Sequence, residues 1–206
     1  MKRREVLIGG AVLAAGPVWA QTPETAPPAA ANPKVVMQTG QGTITLELYA
    51  DKAPITTANF LRYVDAKRYD GATFYRVLHT PGDPTTGLVQ GGAKFDPAHP
   101  IPPIAHEPTT QTGLMHKDGT ISLARRAPGT ATSDFFICVG DAPYLDADPK
   151  APGDNLGFAA FGHVVDGMDV ARKVLALPLS PTAGAPDMVG QMLDPAVPII
   201  DAHRMT

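Results

Sequence analysis

Apolar and polar positions alternate through Thr43-Ile44-Thr45-Leu46-Glu47-Leu48-Tyr49, and the β-rich run Val35-Val36-Met37-Gln38-Thr39 precedes it across Gly40-Gln41-Gly42. A period of two predicts a half-buried strand, and the glycine-flanked gap predicts that the two runs pair as an amino-terminal hairpin. The period changes after Pro54. Between Thr56 and Lys67, Ala58, Leu61 and Asp65 fall on one side and Phe60 and Val64, four apart, on another, which predicts a helix burying Phe60, Leu61 and Val64. Met168, Val170, Ala171, Val174 and Leu175, following Asp166-Gly167, predict a second, short helix.

Between and beyond the helices, strand-like runs occupy 73–77, 88–91, 120–124, 135–139 and 159–165, and 199–203 closes the domain. About seven or eight strands with two helices predict a mainly β architecture, a barrel closed at its ends. The segments 79–87, 96–119, 146–157 and 178–197 read as long Pro-rich loops, the kind that carry function or specificity.

Composition agrees with that picture. The 206 residues include 22 Pro and 20 Gly against a 44% hydrophobic fraction, which gives a real core joined by many turns and excludes a helical bundle. The amino terminus reads differently: Lys2-Arg3-Arg4 precedes an apolar run from Val6 to Val18, and Val18-Trp19-Ala20 offers a small-residue cleavage site before Gln21. Residues 1–20 are therefore expected to be an export signal, too short to span a bilayer. Arg3-Arg4 ahead of Glu5-Val6-Leu7 is similar to a twin-arginine signal, although an ordinary basic leader can place two arginines together. Residues 21–33 are Pro/Ala-rich and predict an extended tether, leaving 34–206 as one folded domain.

Removal of the signal takes Lys2, Arg3, Arg4 and Glu5 with it and moves the formal net charge from −3 to −5. Nothing in that balance invites nucleic acid or an anionic membrane surface. Cys138 is the one cysteine and can form no internal disulfide; within Phe135-Phe136-Ile137-Cys138-Val139 it reads as a small buried apolar residue. The His residues at 79, 99, 106, 116, 163 and 203 show no paired ligand spacing, so no metal or other cofactor is expected.

Against this background Arg76 stands out, set within Thr73-Phe74-Tyr75-Arg76-Val77. A guanidinium keeps its proton and offers five donors and no acceptor, so on an apolar strand it must find oxygen partners or face solvent. It is either a binding element or an edge residue. Downstream, in order, come Gln90-Gly91-Gly92, Gly119-Thr120-Ile121-Ser122-Leu123-Ala124, Ser133-Asp134-Phe135-Phe136-Ile137, Tyr144-Leu145-Asp146 and Phe161-Gly162-His163-Val164-Val165-Asp166-Gly167-Met168. Together these segments resemble the cyclophilins, the peptidyl-prolyl cis/trans isomerases, and most closely their exported bacterial branch. The resemblance covers about 34–175 and weakens through the Pro-rich segment before the final strand.

The resemblance implies an eight-stranded antiparallel barrel capped by two helices, with an active groove on its outer face. It places Arg76 as the catalytic arginine, in a segment usually written Phe-His-Arg where Tyr75 here replaces the histidine, and Gln90 as the residue orienting it. Ala124 and Arg125 match contacts to the peptide, Phe136 the aromatic floor of the proline pocket, and Leu145 an apolar wall. Leu88 stands at a pocket methionine position and Gly87 at that of a pocket phenylalanine. Asp134 stands where glutamine is usual, Phe158 where a groove histidine is common, and Tyr144 at the tryptophan associated with cyclosporin binding, which implies weak inhibitor sensitivity.

Asp134 admits two readings: a carboxylate that orients Arg76, or one that ties it up, with Arg125 near enough to take the charge instead. The implied activity is isomerisation of X-Pro bonds in unfolded or flexible segments by a cofactor-free monomer in the periplasm. Its partners are Pro-containing polypeptides, with no nucleic acid and no membrane after signal cleavage. The alternative is a Pro-peptide-binding module or chaperone of the same fold with little turnover.

Overall fold

The structure, a computed structural model, describes residues 32–93 and 96–205. The expected export signal and most of the expected tether lie outside these residues. Asn32 and Pro33, at the tether's end, are already tied down: the Asn32 side-chain amide donates to Glu47 Oε1 at 2.9 Å and the Pro33 carbonyl accepts from Leu48 N–H at 2.9 Å.

The chain runs β1 (Lys34–Thr39), β2 (Gly42–Leu48), α1 (Pro54–Asp65), β3 (Thr73–Thr80), β4 (Asp83–Gly92), α2 (Thr109–Thr112), β5 (Thr120–Leu123), β6 (Phe135–Val139), β7 (Ala159–Asp166), α3 (Met168–Leu175), β8 (Leu179–Ser180) and β9 (Met192–Arg204). Every pairing is antiparallel, in the order β1-β2-β7-β5-β6-β4-β3-β9, and β9 returns to β1 to close an eight-stranded barrel. The two-residue strand β8 is hung on β9 outside that ring. The expected hairpin, both helices and the mainly β barrel are all present; α2 is a further single turn.

Closure removes the sheet edges, and the alternation of side chains divides each strand between lumen and outer wall. Phe135 and Ile137 enter the lumen while Phe136 and Cys138 point outward, where they join Leu88, Ala142 and Leu145 in a second apolar cluster separate from the main core. Cys138 is fully covered, and its burial, followed by the nearby carboxylates of Asp146, Asp118 and Asp141, pushes the thiol up to about 12. It is an inert packing residue at neutral pH.

The two longer helices stopper opposite ends. α1 buries Phe60, Leu61 and Val64 and leads toward the Thr73 end of β3, whereas the last turn of α3 meets the other end, with Leu175 O 3.1 Å from His79 Nε2. α1 begins with Pro54 and has no side-chain cap of its own. Glu107 supplies one from a distant loop: Oε1 accepts from Ile55 N–H at 3.2 Å, and Oε2 accepts from Thr56 N–H and Oγ1 at 2.7 Å each. A carboxylate there satisfies orphan donors at the positive end of the helix dipole.

Two segments expected to be loops hold sheet, 79–87 over most of its length and 178–197 at its two ends. The stretch 79–87 lengthens the β3–β4 hairpin, with Pro81-Gly82 at the turn and a bulge where the register passes from Thr80↔Asp83 to His79↔Gly87. The reading of Gly87 as a vacated pocket position is thereby replaced. It has φ 150° and a Cβ there would lie 2.1 Å from Leu78 O, so the close backbone approach demands glycine. Likewise 178–197 holds β8 and the start of β9, which opens at Met192 rather than at 199. Pro and Gly hid both because they interrupt alternation without ending the pairing.

Candidate active site

Arg76, Gln90, Phe136 and Ser122 lie in one row across the ladder, paired as Arg76↔Gln90, Gln90↔Phe136 and Ser122↔Phe136 on β3, β4, β6 and β5. A bulge at Tyr75 makes this row possible. The register moves from Phe74↔Gly91 to Arg76↔Gln90, and Phe74 and Val77, three apart, are both fully buried. Strict alternation would send Tyr75 and Arg76 to opposite faces; the extra residue lets both line the groove on the outer wall.

The groove has a volume of about 560 Å³. At its polar end, Arg76 Nη1 donates to Gln90 Oε1 at 2.8 Å, and Nε and Nη2 donate to Gln191 Oε1 at 2.8 and 2.6 Å. Gln90 Nε2 donates to Tyr75 Oη at 2.7 Å, and Tyr75 Oη donates to Asp134 Oδ2 at 2.7 Å. Burial, then the negative charge of Asp134, pushes the Tyr75 phenol well above its ordinary range, which keeps it protonated as the donor in this chain. Asp134 therefore bonds neither Arg76 nor Arg125; it is connected to the arginine only through Tyr75 and Gln90. Gly92 makes room for it, since a Cβ there would lie 2.0 Å from Asp134 Oδ1.

The apolar end is floored by Phe136 and walled by Leu88, Leu145 and Phe158, all lining the groove. Phe158 stands edge-on to Phe136, centroids 5.4 Å apart at 86°, a favoured aromatic geometry. Arg125 also lines the groove, but its guanidinium is committed elsewhere. It forms a two-pronged pair with Asp154 at 2.7 and 2.8 Å, donates to Gly157 O, and sits 5.4 Å from the Phe158 centroid. Its hydrogen bonds, ahead of that from Leu156 N–H, hold the Asp154 carboxyl down at about 2. Arg125 thus builds the wall that Phe158 presents. Ala124 lines the groove with its N–H already given to Asp134 O at 2.7 Å. Tyr144 is the exception among the expected residues: it is 58% exposed and outside the groove lining.

Tyr75 and Gln191 were not among the expected site residues. A bulge cannot be seen in a one-dimensional alternation, and Gln191 lies 115 positions from the arginine it holds, in a Pro-rich segment with no motif.

Beneath Phe136 lies a buried polar bridge. The His116 ring stacks on Phe136 at 5.9 Å and 18°, with Nδ1 2.7 Å from Asp146 Oδ1 and Nε2 2.9 Å from Ser122 Oγ. The carboxylate requires a proton on Nδ1, so Nε2 accepts from the serine. Burial lowers the His116 pKa from its ordinary 6.5, outweighing the opposite pull of Asp146. A depressed pKa means the unfolded chain binds the proton first. The stability contributed by neutral His116 is full above 6.5 and is lost as pH falls through the lower folded value. Urea midpoints measured between pH 7.5 and 5 should fall more steeply for wild type than for His116→Gln; parallel curves would refute the assignment.

A closed barrel that presents a peptide-sized groove on its outer wall, apolar at one end and armed with a held guanidinium at the other, defines a protein that handles extended polypeptide. The model of the cyclophilin type peptidyl-prolyl cis-trans isomerases matches residues 34–195. The chain belongs to this family, and its activity is peptidyl-prolyl cis/trans isomerisation. A peptidyl-prolyl cis-trans isomerase of Acinetobacter baylyi is 35% identical over 184 residues, covering 87% of this chain and 85% of the relative. Peptidyl-prolyl cis-trans isomerase A of Dickeya dadantii is 39% identical, covering 68% of this chain and 70% of the relative. A Cryptosporidium parvum cyclophilin crystal structure, solved in the presence of the dipeptide Ala-Pro, superposes with a TM-score of 0.64 at 19% identity, covering 84% of this chain and 99% of that one.

Proposed function

We propose that Arg76 is the group that lowers the isomerisation barrier, with the prolyl ring held against Phe136, Leu88, Leu145 and Phe158. The planar X-Pro amide resists rotation by roughly 18–20 kcal/mol because resonance is lost on twisting. In the twisted amide the nitrogen regains a lone pair that a guanidinium can bond and that the planar ground state does not offer, which is preferential binding of the transition state. No bond is made or broken, so no nucleophile or base is needed. The observation carrying this reading is the donor count at Arg76: among the described residues Gln191 takes two N–H groups and Gln90 one, leaving one on each Nη of a side chain that lines the groove beside an apolar pocket.

Protease-coupled or exchange assays on a series of prolyl tetrapeptides test it. Wild type should accelerate isomerisation, and Tyr75→Phe, which cuts Asp134 from Gln90, should lower kcat by about three- to tenfold with KM little changed. Unchanged kcat in Tyr75→Phe would remove the relay from the reading.

The protein is further read as an exported bacterial cyclophilin working as a monomer in the periplasm on unfolded or flexible segments. The support is the leader itself, Lys2-Arg3-Arg4 followed by the apolar run to Val18 and the Val18-Trp19-Ala20 site. The protein recovered from cells should begin at Gln21 in the periplasmic fraction, and replacing Arg3 and Arg4 by Lys should trap it inside if the twin-arginine route is used. An intact Met1 in the cytoplasm would refute export.

A further inference from the structure

The grip on Arg76 comes from two sides, and only Gln90 belongs to the hairpin that carries the arginine. The other side is a loop, 181–191, closed at its base by the β8–β9 pairs Leu179↔Leu193 and Ser180↔Met192. Because Met192 also pairs with Arg76 on β3, the residue before it is delivered beside the guanidinium. Gln191 is itself pinned there. Its carbonyl accepts from Val77 N–H at 2.8 Å, its N–H donates to Met188 O at 3.0 Å, and its side-chain Nε2 donates to Asp187 O at 3.3 Å. These bonds aim Oε1 at the inner edge of the fork, where it accepts from both Nε and Nη2. Met188, from the same loop, lines the groove.

Gln90 alone fixes one point of a planar group that can still turn. A second acceptor on the adjacent edge fixes the plane. A neutral amide does so without cancelling the positive charge, as a carboxylate would. We propose that Gln191 is a positioning residue that acts through Arg76, fixing the direction of its two free N–H groups, and that the 181–191 loop is part of the active site. The inference rests on the reading of Arg76 as the group that meets the twisted amide.

Gln191→Met keeps side-chain length and removes the acceptor. It should lower kcat by about tenfold, the loss of one charge-assisted hydrogen bond, with KM little changed. In an Arg76→Ala background the same substitution should have no further effect, because it acts through the missing guanidinium. NMR of the full protein supplies an independent reading: the Arg76 Nε–Hε signal should be resolved and slowly exchanging in wild type and broadened or lost in Gln191→Met, while Met188→Ala leaves it in place. An unchanged kcat, an equal loss in both backgrounds, or a freely exchanging Arg76 Nε–Hε in wild type would each overturn the proposal. Failure of the underlying reading looks different, since Arg76→Ala would then retain wild-type turnover.

Discussion

Replacing Arg76 by Ala should lower kcat/KM on prolyl peptides by about ten- to a hundredfold, the range for one charge-assisted hydrogen bond made only in the transition state. The loss should fall on kcat, because the apolar pocket that holds the ring is untouched. Arg76→Lys should recover little: a single ammonium cannot meet Gln90, Gln191 and the twisted amide with the planar fork that the site is built around. The fold should survive, since Arg76 points to the outer wall and its removal opens no cavity in the barrel. Steady-state rates together with thermal melts check both halves; wild-type turnover in Arg76→Ala would end the mechanism proposed for this groove.

The largest expected effect on stability lies at Phe135. Its ring meets Phe60, Tyr69 and Phe74 edge-on, with centroid separations of 5.5, 5.5 and 5.6 Å, at the point where α1 stoppers the barrel. Phe135→Ala removes this hub and leaves a cavity among rigid rings, costing about 3–5 kcal/mol. Against a typical stability of about 5–15 kcal/mol that is a large share. Phe136→Ala, one residue on, removes a ring from the outer cluster instead and should raise KM more than it lowers the urea midpoint. If the two variants lose equal stability and equal activity, the division between lumen and groove is wrong.

That division is legible in the sequence only through the family resemblance. Period-two alternation through 43–49 and helical spacing at 56–67 and 168–175 identify elements whose apolar face must be buried. The run 135–139 is apolar throughout, so the residues alone favour core packing for both Phe135 and Phe136, and only the cyclophilin resemblance sends Phe136 to the groove. Arg76, Gln90, Leu88, Phe136, Leu145 and Phe158, which the cyclophilin resemblance places in the groove, all line it. Arg125 was placed there too, but its charge turned out to be spent on Asp154, a partner in a loop with no periodicity to read.

The amino-acid sequence by itself determined most of the strands and the two longer helices, through local propensity and the faces that must leave water, and, through its ordered motifs, the family and most of the groove lining. Only the tertiary structure decided how Arg76 is aimed. The bulge at Tyr75 turns two consecutive residues to one face. The Tyr75–Gln90 relay links the Asp134 carboxylate to the arginine without direct contact between the two charges. The clasp of Gln191 joins residues 115 positions apart. The physical reason is common to all three: a hydrogen bond between distant residues exists only after closure sets strand register, and register is a property of pairs of strands that no single segment encodes.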